Sequence, residues 1–123
     1  MKISEAIGAC SAFALLAIFY FWDSLGADLI IGGGDNLFFF IPIRKLWIQI
    51  AQSFSFPLWN PHANMGMPLF ASIQPAILYP FSWFYFLFSF NSVFNFTIVI
   101  HYSLAGFFMY LLYIKGIAEP IAK

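Results

Sequence analysis

Two apolar runs of membrane-spanning length limit the fold of this chain more than any other feature. The first run, Ile3 to Trp22, carries one charged residue, Glu5, close to its start. About 20 residues in a helix cover the thickness of the bilayer hydrocarbon at 1.5 Å per residue. The second run, Ser92 to Ile114, is also long enough to cross. The sequence therefore predicts transmembrane helices at 3–22 and 92–114.

The composition agrees and excludes several other classes of protein. Hydrophobic residues make up 63% of the chain and charged residues 8%, whereas soluble domains have about 25% charged residues. The formal net charge of +0 provides no basic field for nucleic acid, so we expect no nucleic-acid partner. The single cysteine, Cys10, cannot form an internal disulfide, and with two distant histidines it gives no zinc motif. Lipid and helix packing must stabilise the fold, because neither a disulfide nor a zinc site is expected to cross-link it.

The first apolar run could instead be a cleaved signal peptide. Only Lys2 supplies a charged amino-terminal region, and no Ala-x-Ala pattern follows the apolar core before Asp23. A retained transmembrane helix is the better interpretation.

The middle of the chain, 23–91, is predicted to be a long extramembrane loop with two helices lying on the membrane surface. Apolar residues recur there at helical spacing with polar residues between them, which indicates an amphipathic helix near 42–54. The apolar positions are Ile43, Leu46, Trp47, Ile50 and Phe54. Residues 56–80 contain five prolines and should form an irregular loop. The apolar block 76–90 is short for a span and contains Pro80, so we expect an interfacial segment.

The lysine distribution predicts the orientation in the membrane. With two spans, Lys2, Lys115 and Lys123 lie on one side, which the positive-inside rule makes cytoplasmic. Both termini are then cytoplasmic and the loop is extracytoplasmic, although Arg44 and Lys45 place two cations outside. If 76–90 also crossed, Lys115 and Lys123 would move outside and fit the rule less well.

A series of short motifs between Ile31 and Gly116 resembles the opening of a known family. In chain order the motifs are Gly34-Asp35-Asn36-Leu37-Phe38, Ile41-Pro42, Pro57-Leu58-Trp59-Asn60-Pro61, Gly66-Met67-Pro68-Leu69, Leu78-Tyr79-Pro80-Phe81, His101-Tyr102-Ser103-Leu104-Ala105-Gly106 and Met109-Tyr110-Leu111-Leu112. The series is similar to bacterial YfhO-like membrane proteins, of the GT-C class of polyprenyl-phosphate-dependent glycosyltransferases. The chain departs from the family at Ile114-Lys115-Gly116, where two arginines are more usual. Further spans would be expected after it, so we expect an amino-terminal portion of a larger protein.

The resemblance implies an all-α, polytopic GT-C fold whose first extracytoplasmic loop carries a catalytic acid, here Asp35. Sugar transfer from a lipid phosphate to a hydroxyl needs a carboxylate that accepts the hydroxyl proton or holds a divalent metal. The cofactor is therefore undetermined, with a divalent metal left open. The alternative is that Asp35 only caps the helix that follows. Asp23 and Asp28 are the rival acids, with solvated loop charges as their simpler interpretation.

Four other residues are candidates for binding the lipid-linked sugar donor. Arg44 and Lys45 could attract its phosphate, although anchoring at the interface is the simpler role. Trp59 could stack on a sugar, but like Trp47 and Trp83 it fits an interface anchor. His62 could take part in the chemistry or be a solvated loop histidine. His101 lies within a predicted span, where packing or a hydrogen bond is the expected role.

Two functions remain open at this level. The first is a multi-pass glycosyltransferase of the bacterial plasma membrane that moves a sugar from polyprenyl phosphate to a cell-envelope acceptor. The second is a small non-catalytic membrane protein that packs against partner helices. A transport protein is less favoured, because neither predicted span carries a buried acid in its middle.

Overall fold

A computed structural model describes residues 3–26 and 28–118. It contains α1 (Ile3–Tyr20), a 3₁₀ turn (Trp22–Ser24), a π-helical turn (Asn36–Phe40), α2 (Ile41–Gln52), β1 (Trp59–Asn60), β2 (Met67–Pro68), a 3₁₀ helix (Pro80–Phe86), α3 (Phe90–Tyr113) and a π-helical end (Ile114–Ala118). Helix dominates, as predicted. Within the described residues, α1 and the helix from Phe90 to Gly116 are long and apolar enough to cross a membrane.

The two long helices pack against each other in antiparallel directions. Phe13 of α1 lies beside Gly106 and 6.3 Å from the ring of Tyr110. At the other end of α1, the ring of Phe21 lies 5.1 Å from that of Tyr102. This pairing places the start of α1 at the same end of the molecule as the carboxyl-terminal end of α3.

The long helix α3 begins two residues earlier than the sequence analysis placed it. The hydroxyl of Ser89 accepts a hydrogen bond from the backbone N–H of Ser92 at 3.3 Å. This is an N-cap, in which a side chain satisfies an amide that has no partner inside the helix. The contact between Phe21 and Tyr102 lies about three turns past the start of α3.

Those first turns of α3 join α2 and the 3₁₀ helix in a compact cap. Its apolar core contains Ile41, Ile43, Trp47, Ile48, Leu69, Ile77, Tyr85, Val93 and Phe94. The predicted amphipathic helix is therefore present, but its apolar face packs against the protein. Trp47 is only 1% exposed and meets Phe86 edge to face, so its expected role as an interface anchor is wrong.

The ends of α2 also differ from the prediction of 42–54. A π-helical turn precedes it, where Pro42 has no N–H to donate to the carbonyl one α-helical turn earlier. The helix stops at Gln52, and Phe54 has a φ of +56° and a fully exposed side chain. Phe54 therefore does not continue the apolar stripe.

The segment between α2 and α3 is irregular, as its prolines predict, and encloses one short hairpin. In β1 and β2, Trp59 pairs with Pro68 and Asn60 pairs with Met67. Gly66 has a φ of +110°, and a Cβ there would lie 2.6 Å from the ring of Trp59. Only glycine fits this close approach. The interfacial helix expected near 76–90 is replaced by the shorter 3₁₀ helix, which begins at Pro80. A helix cannot easily continue before Pro80, because proline has no N–H to donate to an earlier carbonyl.

Candidate functional site

Asp35 stands at the start of the helical segment that leads into α2. Gly34, with a φ of +51°, makes the turn before it, and the amides of Asn36 and Leu37 bond to the carbonyls of Gly33 and Gly34. Asp35 itself has helical backbone angles, its side chain is exposed, and it accepts no capping hydrogen bond. The structure therefore does not show the capping role that was the alternative for this carboxylate.

A cleft of about 390 Å³ runs along one side of this helix, and we call it the α2 cleft. It is lined by Phe38, Phe39, Pro42, Ile43, Lys45, Leu46, Gln49, Asn60, His62 and Ala63. Asp35 does not line the cleft, but it precedes Phe38 and Phe39 at the start of the same helical segment. The cleft brings Lys45 and His62 together, two of the four predicted binding residues.

The hairpin holds His62 at the edge of the α2 cleft. Asn60 is buried, and its Oδ1 accepts a hydrogen bond of 2.9 Å from the backbone N–H of His62. Such side-chain turns fix the chain locally without a helix or sheet. The backbone of His62 is therefore positioned while its side chain stays exposed to solvent. Asn60 was not among the predicted site residues. The sequence signal for this turn is an Asn whose side chain can accept a hydrogen bond from the backbone N–H two residues later.

Arg44 and Lys45 diverge although they are adjacent in the chain. The Lys45 Nζ lies 5.1 Å from the centre of the ring of Phe90, a residue that does not line the α2 cleft. The Arg44 guanidinium lies 5.4 Å from the Phe94 ring and next to the phenol of Tyr85. One residue turns a helix by about 100°, which accounts for the separation. Arg44 therefore does not line the α2 cleft.

Tyr85 shows the electrostatic setting of Arg44. Burial raises the pKa of the Tyr85 phenol, because a phenolate would lose its hydration. The neighbouring Arg44 charge opposes that rise without cancelling it. The phenol is therefore a neutral hydrogen-bonding neighbour of the guanidinium at physiological pH.

Trp59, the remaining predicted binding residue, is half-exposed and does not line the α2 cleft. Its ring covers Gly66 on the hairpin instead. The largest described cavity, about 450 Å³ between the 3₁₀ helix and α3, is walled mainly by Phe81, Phe84, Phe88 and Phe96 and has no charged residue. A cavity lined in this way suits a hydrocarbon chain. None of its lining side chains is an acid or base that could transfer a proton.

No protein-family model, curated protein or solved structure matches this chain. Within residues 3–26 and 28–118, no three His, Cys, Asp or Glu side chains come together. A divalent metal at Asp35 would therefore have fewer than three such ligands from the described part of the chain. The exposed carboxylate of Asp35 and the α2 cleft are what the geometry offers for chemistry.

Proposed function

We propose that this protein is a membrane glycosyltransferase component, in which Asp35 accepts the proton of the acceptor hydroxyl. The observation that supports the proposal is the exposed Asp35 carboxylate, which is not used for capping and precedes Phe38 and Phe39 of the α2 cleft in the same helical segment. A general base must be free to meet its substrate. A carboxylate engaged in a structural hydrogen bond would suit this role less well.

The proposed step moves a sugar from a polyprenyl-phosphate donor to a cell-envelope acceptor. The acceptor oxygen forms a bond to the anomeric carbon, and the bond between that carbon and the phosphate oxygen breaks. Asp35 takes the hydroxyl proton, and polyprenyl phosphate leaves with the bond electrons. In this step Lys45 offsets the charge of the leaving phosphate, and His62, which lines the same cleft, binds the donor.

The proposal requires the cap to lie on the extracytoplasmic face of the plasma membrane. The antiparallel packing of α1 and α3 supports this arrangement, because Lys115 lies at the end of the pair opposite the cap. The positive-inside rule favours the cytoplasm for that end. Lys2 and Lys123, also used for the predicted orientation, lie outside the described residues.

Replacing Asp35 with Asn tests the proposal. Asp35→Asn keeps the size of the side chain and removes the proton acceptor, so sugar transfer should fall roughly 10²- to 10⁴-fold. The assay measures transfer from a polyprenyl-phosphate sugar in membranes with matched protein levels. Asp28→Asn, at another exposed loop acid, is the control and should retain activity. Wild-type turnover by the Asp35→Asn protein, or equal losses in both variants, would refute the role of Asp35.

The second candidate function is a non-catalytic protein that packs against partner helices. The exposed apolar faces of both long helices favour it, with Leu15 and Phe19 on α1 and Phe108 and Leu112 on α3. Such faces must meet lipid or other helices. Membranes in which neither wild type nor Asp35→Asn transfers sugar, but in which a photo-crosslinker at Leu15 captures one partner, would favour this function.

A further inference from the structure

A second polar cavity, of about 290 Å³, lies on the side of α2 away from the α2 cleft. We call it the Arg44 cavity, and it is lined by Arg44, Tyr79, Thr97, Ile98, His101 and Tyr102. It shares no lining residue with the α2 cleft. The proposed sugar transfer therefore leaves this cavity without a role.

Arg44 brings an unmatched positive charge to this cavity. Its Nε is buried and has no hydrogen-bond partner. No carboxylate in residues 3–26 and 28–118 forms an ion pair with it. The Phe94 ring and the neutral Tyr85 phenol flank the guanidinium but do not neutralise it. A desolvated cation needs an anion or water, and a guanidinium fork fits a phosphate especially well.

A fixed pair of polar side chains forms another part of the cavity wall. The Thr97 carbonyl only accepts hydrogen bonds, so the 2.6 Å contact makes Nδ1 of His101 the donor. Nε2 of the neutral ring then accepts a hydrogen bond from the Tyr79 hydroxyl at 2.5 Å. Both rings are therefore held in place, and they fix the shape of the cavity wall.

The helix pairing sets the level of the cavity relative to the bilayer. Phe21, just past the end of α1, contacts Tyr102, so the end of the first span is level with the Arg44 cavity. Tyr20, Trp22 and Tyr102 have strongly exposed side chains at this level. Exposed Trp and Tyr mark the headgroup region of a membrane. Phosphate groups of lipids lie in the same layer.

We propose that the Arg44 cavity binds the phosphate group of a membrane lipid. The Arg44 guanidinium supplies the charge-assisted hydrogen bonds, and the paired rings of Tyr79 and His101 form the wall beside it. The acyl chains would extend from the headgroup level along the exposed apolar surface of α3. This site does not depend on the proposed sugar transfer, because any lipid with a phosphate headgroup presents the same chemistry.

Native mass spectrometry of the detergent-solubilised chain tests the site with two lipids that differ only in the phosphate. These are phosphatidic acid and diacylglycerol with the same acyl chains. Wild-type protein should retain phosphatidic acid preferentially, and Arg44→Gln should lower that preference about tenfold, as expected for lost hydrogen bonds to a charged group. Lys115→Gln, which removes an exposed cation at the opposite end of the helix pair, is the matched control and should stay within about twofold.

A second variant and a competitor complete the test. Arg44→Lys keeps the positive charge and removes the guanidinium fork, so the preference should fall about threefold, as for one lost hydrogen bond. This milder change still tests the site if Arg44→Gln does not fold. Equal losses in Arg44→Gln and Lys115→Gln, or no loss in Arg44→Gln and Arg44→Lys, would refute the site. Displacement of phosphatidic acid by glycerol 3-phosphate would refute a lipid source in favour of a soluble phosphate.

Discussion

At the scale of single residues, Asn95 ties the connection after α1 to the cap. Its side chain is 0% exposed and makes three hydrogen bonds to that connection. Nδ2 donates to the carbonyls of Ser24 and Leu29 at 2.6 and 2.8 Å, and Oδ1 accepts from the backbone N–H of Ile31 at 2.7 Å. Such a saturated amide joins segments more than sixty residues apart in sequence. Its burial also argues against Asn95-Phe96-Thr97 as a glycosylation site.

Replacing Asn95 with Leu should destabilise the protein strongly. The change leaves three backbone groups without partners, so we expect a loss of about 2–4 kcal/mol in unfolding free energy. The midpoint of thermal unfolding in detergent, followed by tryptophan fluorescence, should fall on the order of 10 °C.

Ser103→Ala is the control for Asn95→Leu. The Ser103 hydroxyl bonds only to the Val99 carbonyl, one turn back in the same helix, at 2.8 Å. Its loss should change stability by less than about 0.5 kcal/mol. If Asn95→Leu unfolds at the same temperature as Ser103→Ala, Asn95 does not anchor the connection.

The candidate residues show how far sequence reasoning reaches at this scale. Asp35 precedes a helical segment, as the capping alternative required, but it makes no capping hydrogen bond, and that segment begins before the predicted bound at 42. The sequence could not show that Arg44 and Lys45 lie in different environments. Their aromatic partners, Phe94 and Phe90, belong to a helix some fifty positions later in the chain. Tertiary contacts of that kind are absent from local sequence patterns.

At the scale of elements, Gly106 allows the two long helices to approach closely. A Cβ at this position would lie 2.6 Å from Cδ1 of Phe13, so any side chain must displace that ring. Small residues at such contacts let membrane helices pack backbone to side chain. In the sequence Ala105-Gly106 is part of a motif, but the sequence does not reveal that the Phe13 ring packs against Gly106.

Gly106→Ala should therefore weaken the helix pair, although alanine is the better helix former. Overpacking typically lowers the unfolding free energy by about 1–3 kcal/mol. The replacement of glycine by alanine raises it by up to about 1 kcal/mol through helix propensity, so the net effect should be a loss. Thermal unfolding of the single variant and of Gly106→Ala combined with Phe13→Leu measures the coupling. The smaller Leu side chain should relieve the clash.

Gly8→Ala serves as the control for helix propensity, because nothing lies within 4 Å of a Cβ at that position. It should leave stability unchanged or raise it slightly. A Gly106→Ala protein as stable as Gly8→Ala, with no coupling to Phe13→Leu, would contradict the close packing.

Hydropathy and periodicity predicted α1, α2 and α3, while local chemistry set their ends. Ser89 starts α3 before the apolar run begins, and Pro42 coincides with the change from the π-helical turn to α2. The stripe of α2 indicated an apolar partner but could not distinguish lipid from protein, since both bury the same side chains. In the structure the rest of the cap packs against this stripe, and Ile43 and Trp47 are almost fully buried.

At the scale of the whole molecule, an antiparallel pair of helices long and apolar enough to cross a membrane carries a cap with the α2 cleft and the Arg44 cavity. The two helices and the long connection followed from the two apolar runs. The cap did not, because its core joins residues from α2, the irregular loop and α3. The proposed sugar transfer at Asp35 requires that the cap face away from the cytoplasm.

Cysteine accessibility tests this central arrangement most directly. In a Cys10→Ala background, one protein carries Ala71→Cys in the exposed loop of the cap and another carries Gly116→Cys at the opposite end of the helix pair. An impermeant maleimide should label Ala71→Cys in intact cells and Gly116→Cys only after permeabilisation. Labelling of Gly116→Cys in intact cells while Ala71→Cys is shielded would place the cap in the cytoplasm and contradict the account.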